Sequence, residues 1–121
     1  MTSVPAIGLE VGIDYDGGCV VLALAGEIDV YSAPVLRENL MALGAAGHHR
    51  IALDLGSMAF CDSTGLGLLV GAVKRATAGG GGLAVFSPPE HFMKVLRITG
   101  LSKVLAAFEE RTEALGWLAA Q

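Results

Sequence analysis

No stretch of this chain stays apolar over the roughly 20 residues that a bilayer-spanning helix requires, although its mean hydropathy is +0.59. The runs Cys19 to Ala25 and Leu66 to Val73 are short and closed by charged or turn residues, so no direct membrane insertion is expected. Basic residues are also scarce: Lys and Arg number 8 against 12 acids, a net charge of −4. No basic cluster is available to neutralise several backbone phosphates, which excludes nucleic-acid binding. Cysteine is limited to Cys19 and Cys61, which have neither metal-ligand spacing nor the density of a disulfide framework, and this fits a reducing, cytoplasmic compartment. The opening Met1-Thr2-Ser3-Val4-Pro5 has no basic residue ahead of an apolar stretch and does not read as a secretory signal.

What is present is mostly apolar. Hydrophobic residues make 53% of the 121 positions and charged ones 17%, enough burial to offset the ordering entropy that keeps polar chains unfolded. That length suits one hydrophobic core, so residues 1–121 are expected to form a single domain with its core from about 8 to 119. Charge is unevenly divided, with eight acids and two bases in residues 1–62 but four acids and six bases in residues 63–121. Either this is ordinary surface charge or the first half supplies an acidic patch to a partner.

The apolar pattern predicts alternating elements. Ile7 to Asp14 alternates as an edge strand, Asp16-Gly17-Gly18 supplies a tight hairpin, and Cys19 to Leu24 returns as an antiparallel strand. Ser32-Ala33-Pro34 offers a cap and a first-turn proline for a helix carrying Leu36, Leu40 and Leu43, ended by Gly44 or Gly47. Ile51 to Leu55 reads as a buried strand, and a helix from Ser63 or Thr64 presents Leu66, Leu69, Val70 and Val73, with Lys74 and Arg75 at its far end. After the glycine loop 79–82 come a strand, Leu83 to Phe86, and a helix opened by the capping-box spacing Ser87-Pro88-Pro89-Glu90. That helix carries Phe92, Val95 and Leu96 and stops at Gly100. A last strand, Val104 to Ala107, and a closing helix, Thr112 to Leu118, with Trp117 as anchor, complete the order. Strand–helix–strand units demand right-handed crossovers, so the fold class is α/β: a mixed, mainly parallel sheet of about five strands with about four helices packed on it.

The polar cluster Asp62-Ser63-Thr64-Gly65-Leu66-Gly67 sits where a strand gives way to a helix. Unpaired amides and a partial positive charge at a helix start let Asp62 and Ser63 cap it, and the same groups would favour a phosphate there. Other chemistries find less on these residues. Gly65, Gly67 and Gly71 are spaced one residue too long for the dinucleotide fingerprint, and no phosphate-loop lysine follows. Asp54 lacks the paired acids and late lysine of an aspartate phosphorylation site that holds Mg²⁺. Cys61 has no general base placed beside it by any signature, and the adjacent His48 and His49 lack a third ligand, so neither thiol catalysis nor a metal site is expected. No catalytic residue and no cofactor is assigned, and an enzyme is not expected.

The string Asp62-Ser63-Thr64-Gly65-Leu66-Gly67 resembles the phosphorylation motif of the anti-sigma factor antagonists, free-standing members of the STAS domain family. Gly26-Glu27-Ile28-Asp29 with Ala33 and Leu36, Ser87-Pro88 and Thr99-Gly100-Leu101 are similar to other segments of that family, so the resemblance runs from about residue 8 to residue 119. Cys61 stands where the family commonly has an apolar residue such as methionine, a mild departure. The resemblance implies that Ser63 is the phosphoacceptor and Asp62 and Asp29 its acidic neighbours, with Thr64, Gly65, Leu66 and Gly67 part of a partner-binding surface. It further implies a partner switch: the unmodified chain binds an anti-sigma factor that is also a serine kinase and so frees a sigma factor, phosphorylation ends the binding, and a serine phosphatase restores it. Asp29 either acts with the Ser63 hydroxyl in the kinase complex or caps the helix near Ser32. The alternative role within the family is an accessory STAS module of a membrane lipid or anion transporter.

Overall fold

The structure, a computed structural model, describes residues 8–121. Ile7 and the Met1 to Pro5 segment lie outside the described residues. Five strands, β1 (Leu9–Asp16), β2 (Cys19–Ile28), β3 (Arg50–Cys61), β4 (Gly82–Phe86) and β5 (Ala106–Phe108), form one sheet in the order β1-β2-β3-β4-β5. The first pair is antiparallel and the other three are parallel. Gly17 and Gly18 both have positive φ, at 56° and 86°, which is the two-residue turn that matches the twist of a hairpin. It fixes the register Asp16↔Cys19.

Helices α1 (Ala33–Ala45), α2 (Ser63–Ala78) and α3 (Glu90–Thr99) cover one face of the sheet, and α4 (Arg111–Ala119) covers the other. Strand alternation divides the side chains between the two layers. Leu22, Leu24, Leu53, Leu55 and Val85 face α1–α3, whereas Cys19, Ala52 and Ala84 face Ala114 and Leu118 of α4. Arg111 at the start of α4 donates to Asp14 at 2.8 Å and to Asp16 at 3.1 Å, tying the helix to the edge strand. Those bonds hold the Asp14 carboxyl below the usual carboxylate range, the Arg111 hydrogen bond being the main cause.

Several boundaries differ from the sequence expectation, β2 among them, which runs on to Ile28 instead of ending at Leu24. Strand β3 runs to Cys61 instead of Leu55, because β2 pairs with it all the way to Ile28↔Cys61. Two register shifts, between Ala23 and Ala25 and between Gly26 and Glu27, insert extra β3 residues and break the alternation that would have marked its second half. Ser32 precedes α1 but its hydroxyl does not cap the helix. The expected box at Ser87 is also absent: Pro89 occupies the N-cap position of α3, while Ser87, at φ 53°, donates from its hydroxyl to Glu109 O at 3.0 Å. The last strand starts at Ala106, since Leu101–Lys103 forms a 3₁₀ turn and Leu105 is buried as a core plug. On α3, Val95 lies outside the buried stripe made by Phe92 and Leu96.

Candidate functional site

The carboxyl ends of β2 and β3 bring two loops together. Ile28 pairs with Cys61, and Asp62 N donates to Ile28 O at 3.0 Å, so Asp29 and Asp62 leave neighbouring strands side by side. Asp62 is the N-cap of α2 in extended conformation, and its Oδ1 accepts from Gly65 N at 2.9 Å. The cap predicted from sequence is therefore present, and it sets Ser63 at the first helical position. The Ser63 side chain is exposed, as are Thr64 and Gly67. No hydrogen bond holds the Ser63 hydroxyl among the described residues.

The glycines of the motif divide by environment. A Cβ at Gly65 would lie 2.6 Å from Ile28 Cγ2 and 2.9 Å from Ile28 O, so only glycine lets the start of α2 rest this close to β2. Gly67 meets nothing within 4 Å and simply leaves bare backbone at the surface. Leu66 is half-buried and packs against the core, contributing only an edge to that surface.

Asp29 is engaged locally. Its Oδ1 accepts from Tyr31 N and Ser32 N, both at 3.0 Å, and Ala33 N donates to Asp29 O at 2.8 Å. It thus holds the turn ahead of α1, whose N-cap position, Ser32, makes no side-chain cap. The fully buried Ser32 hydroxyl instead donates to Glu27 O at 2.8 Å and accepts from Asp29 N at 2.9 Å, bracing the loop. No hydrogen bond links Asp29 to Ser63 among the described residues.

Exposed apolar residues flank these acids along the chain, a feature that sequence periodicity did not reveal. Tyr31 is 77% exposed, Val30 57% and Phe60 48%, one pair on the loop after β2 and the third near the end of β3. Their signal was available only as apolar residues beside the motif with no periodic partner. No Lys or Arg occurs in residues 27–32 or 60–67, so the surface combines negative charge with exposed apolar area.

Cys61, next to the motif, is not poised for chemistry. Burial, and secondarily the Asp62 carboxylate, push its thiol up to about 12. Asp54 Oδ1 accepts from Gly56 N at 2.9 Å and serves the irregular turn of β3. Among the described residues no group of three or more His, Cys, Asp or Glu gathers as a metal site, and no helix is long and apolar enough to cross a membrane.

Comparison with known proteins adds independent findings. A family model described as "Mlab, STAS domain" matches residues 11–107. A curated relative, the anti-sigma-B factor antagonist of Bacillus subtilis (strain 168), is 36% identical over 99 residues, covering 82% of this chain and 90% of the relative. The crystal structure of an anti-sigma factor antagonist from Mycobacterium paratuberculosis is similar with TM-score 0.84 at 22% identity, covering 97% of this chain and 99% of that one. The Bacillus cell fate determinant SpoIIAA in its phosphorylated form is similar with TM-score 0.70 at 23% identity, covering 88% and 97% of the two chains.

Proposed function

The chain belongs to the STAS domain family, and from that premise we propose that it is an anti-sigma factor antagonist that works as a phosphorylation-controlled partner switch. Unmodified, it binds an anti-sigma factor and so releases a sigma factor, regulating transcription in the cytoplasm. The anti-sigma factor is also the serine kinase that modifies Ser63, and a serine phosphatase reverses the modification. The protein is a substrate in this cycle, not an enzyme, and it requires no cofactor of its own.

One observation carries this reading: Ser63 is exposed at the first position of α2, its hydroxyl free, beside a carboxylate already committed to capping. A kinase reaches that hydroxyl without breaking any bond of the fold. Asp29, Asp62, Thr64, Gly65, Leu66 and Gly67 belong to the partner-facing surface in this reading, and Val30, Tyr31 and Phe60 extend it. Such a surface suits a partner face that is apolar with a cation opposite the two acids. Phosphate adds a charge of about −1.5 to −2 at pH 7. Placed beside Asp62 inside a contact, that charge opposes burial and ends the complex. The existence of a phosphorylated form of SpoIIAA, a protein of the same fold, supports the idea.

The accessory role on a lipid or anion transporter has less support, because the curated relative matched over most of this chain bears the antagonist name. The deciding experiment is incubation with the cognate anti-sigma factor and ATP, followed by intact-mass and fragment spectra. One phosphate on Ser63 is expected. Phosphate on Thr64 instead, or undiminished labelling of Ser63→Ala, rejects the assignment.

A further inference from the structure

A cavity of about 320 Å³ lies between the C-terminal halves of α1 and α2, at the opposite end of α2 from Ser63. It exists because facing positions on the two helices carry small side chains, Gly44 and Ala45 on α1 and Ala72 and Ala76 on α2. The buried Leu40 and Ile51 complete an apolar floor. Met41, His48, His49 and Arg75, all more exposed, line the outer part. This combination, apolar walls of ligand size with a few polar groups on one side, is the ordinary make-up of a small-molecule site.

The polar groups specify the sign of the ligand. Helix ends normally present negative carbonyls, but here loop amides satisfy them: Ala46 N donates to Ala42 O, His48 N to Leu43 O, Gly79 N to Arg75 O and Gly81 N to Ala76 O, at 2.9 to 3.1 Å. No carboxylate lines the cavity in a chain whose net charge is −4. Arg75 makes no ion pair among the described residues, and it carries the one full positive charge among the lining side chains, its Nη1 resting 3.5 Å from where a Cβ at Gly71 would stand, one turn back along α2. We propose that the cavity binds a small monocarboxylate with a flexible apolar chain, the chain lying on Leu40, Ile51, Ala72 and Ala76 and the carboxylate meeting Arg75 and the imidazoles. The cavity shares no residue with the Ser63 surface, so ligand binding here stands or falls separately from the partner switch.

Titration calorimetry of the full chain with hexanoate, octanoate and decanoate, below their micelle thresholds, tests this, with 1-octanol as the neutral probe. Kd is expected to fall about fourfold for each methylene added, the conversion of about 0.8 kcal/mol per buried CH₂, until the cavity is full. Arg75→Gln should weaken the carboxylates about fivefold, as for an exposed ion pair, and leave 1-octanol unchanged. A Cβ at Gly44 meets nothing within 4 Å, so Gly44→Leu places its side chain in free space and should abolish binding of every probe with the melting curve retained. Ala45→Leu, at a solvent-accessible lining position of the same helix, is the second blocking variant should the first fail to fold. Affinity that ignores chain length, no binding of decanoate at millimolar concentration, or unchanged binding by a folded blocking variant overturns the site. Equal affinity for octanoate and 1-octanol, unaltered by Arg75→Gln, overturns the carboxylate assignment.

Discussion

Replacing Gly65 by alanine adds one methyl group at the tightest contact of the functional surface. That carbon would stand 2.6 Å from Ile28 Cγ2, 2.9 Å from Cys61 Sγ and 2.9 Å from Ile28 O. None of the three yields cheaply. Ile28 is fully buried, and its carbonyl is held by Asp62 N at 3.0 Å. The start of α2 must therefore lift from β2, stretching the Asp62 cap on Gly65 N. Overpacking of this kind costs about 1–3 kcal/mol, while the exchange of glycine for alanine inside a helix returns up to about 1 kcal/mol. The central values leave a net loss of about 1 kcal/mol, which for a domain of this size lowers Tm by roughly 3–6 °C. Gly67→Ala is the internal control. Two residues along the same helix, with no atom within 4 Å of the added carbon, it keeps only the favourable helix term and should raise Tm by a few degrees. Thermal melts of the three proteins by circular dichroism decide the matter. Shifts of the same sign and size for both variants would refute the packing argument.

Ser63→Ala should bind the anti-sigma factor at close to the unmodified strength, and Ser63→Glu at least about tenfold more weakly, because only the second brings an uncompensated anion into the contact; equal affinities by calorimetry remove the electrostatic switch. Asp29→Asn should keep its melting temperature, since Asn accepts the Tyr31 and Ser32 amides nearly as well as Asp does. Its phosphorylation by the kinase should nonetheless fall by roughly ten- to several-thousandfold if the carboxylate acts on the Ser63 hydroxyl in the complex, and an unchanged rate assigns Asp29 to capping alone. The Cys61 thiol, pushed up to about 12 in the folded chain from an ordinary 9.0, keeps its proton longer than it does unfolded. Its contribution to stability is therefore full below about pH 9 and declines as pH rises toward 12, a decline that Cys61→Ala should lack in parallel denaturant titrations. Native protein should likewise resist iodoacetamide at Cys61 at pH 8, and rapid native labelling there contradicts the burial.

The parts of this fold legible in the sequence are those set by local chemistry. Asp16-Gly17-Gly18 dictates its own turn, since both glycines adopt the positive φ that hairpins need, and Asp62 ahead of an apolar helix dictates its own cap. Illegible parts depend on what lies across the sheet. Strand β3 continues past Leu55 only because β2 is there to pair with it, and its inserted residues erase the alternation. Ser32 looks like a cap and is buried as a brace, because Asp29 three residues earlier already holds the amides. Ser87 has capping-box spacing yet bonds to Glu109, which only the approach of the segment after β5 makes available. The exposed Val30, Tyr31 and Phe60 have no periodicity because they come from a loop and a strand end. The cavity between α1 and α2 is likewise a property of two helices facing each other.

The same geometry separates the switch from the fold it sits on. A phosphate on Ser63 would lie in the first turn of α2, where an anion is favoured by the helix dipole by about 0.3–1 kcal/mol. Proximity to Asp62 offsets part of that gain. No internal hydrogen bond is sacrificed, because the Ser63 hydroxyl has none among the described residues. Gly65, not Ser63, carries the close packing of α2 on β2, and Asp62, not Ser63, carries the cap. Phosphorylation of Ser63 would thus be nearly neutral for the domain, and in the proposed switch its free-energy effect would fall on the complex, where the added charge has to lose its water. A site built the other way, with the phosphoacceptor also acting as cap or core residue, would have linked signalling to unfolding. The division of labour among three residues spaced within four positions would let the chain of the proposed switch be charged and discharged repeatedly while remaining the same folded object.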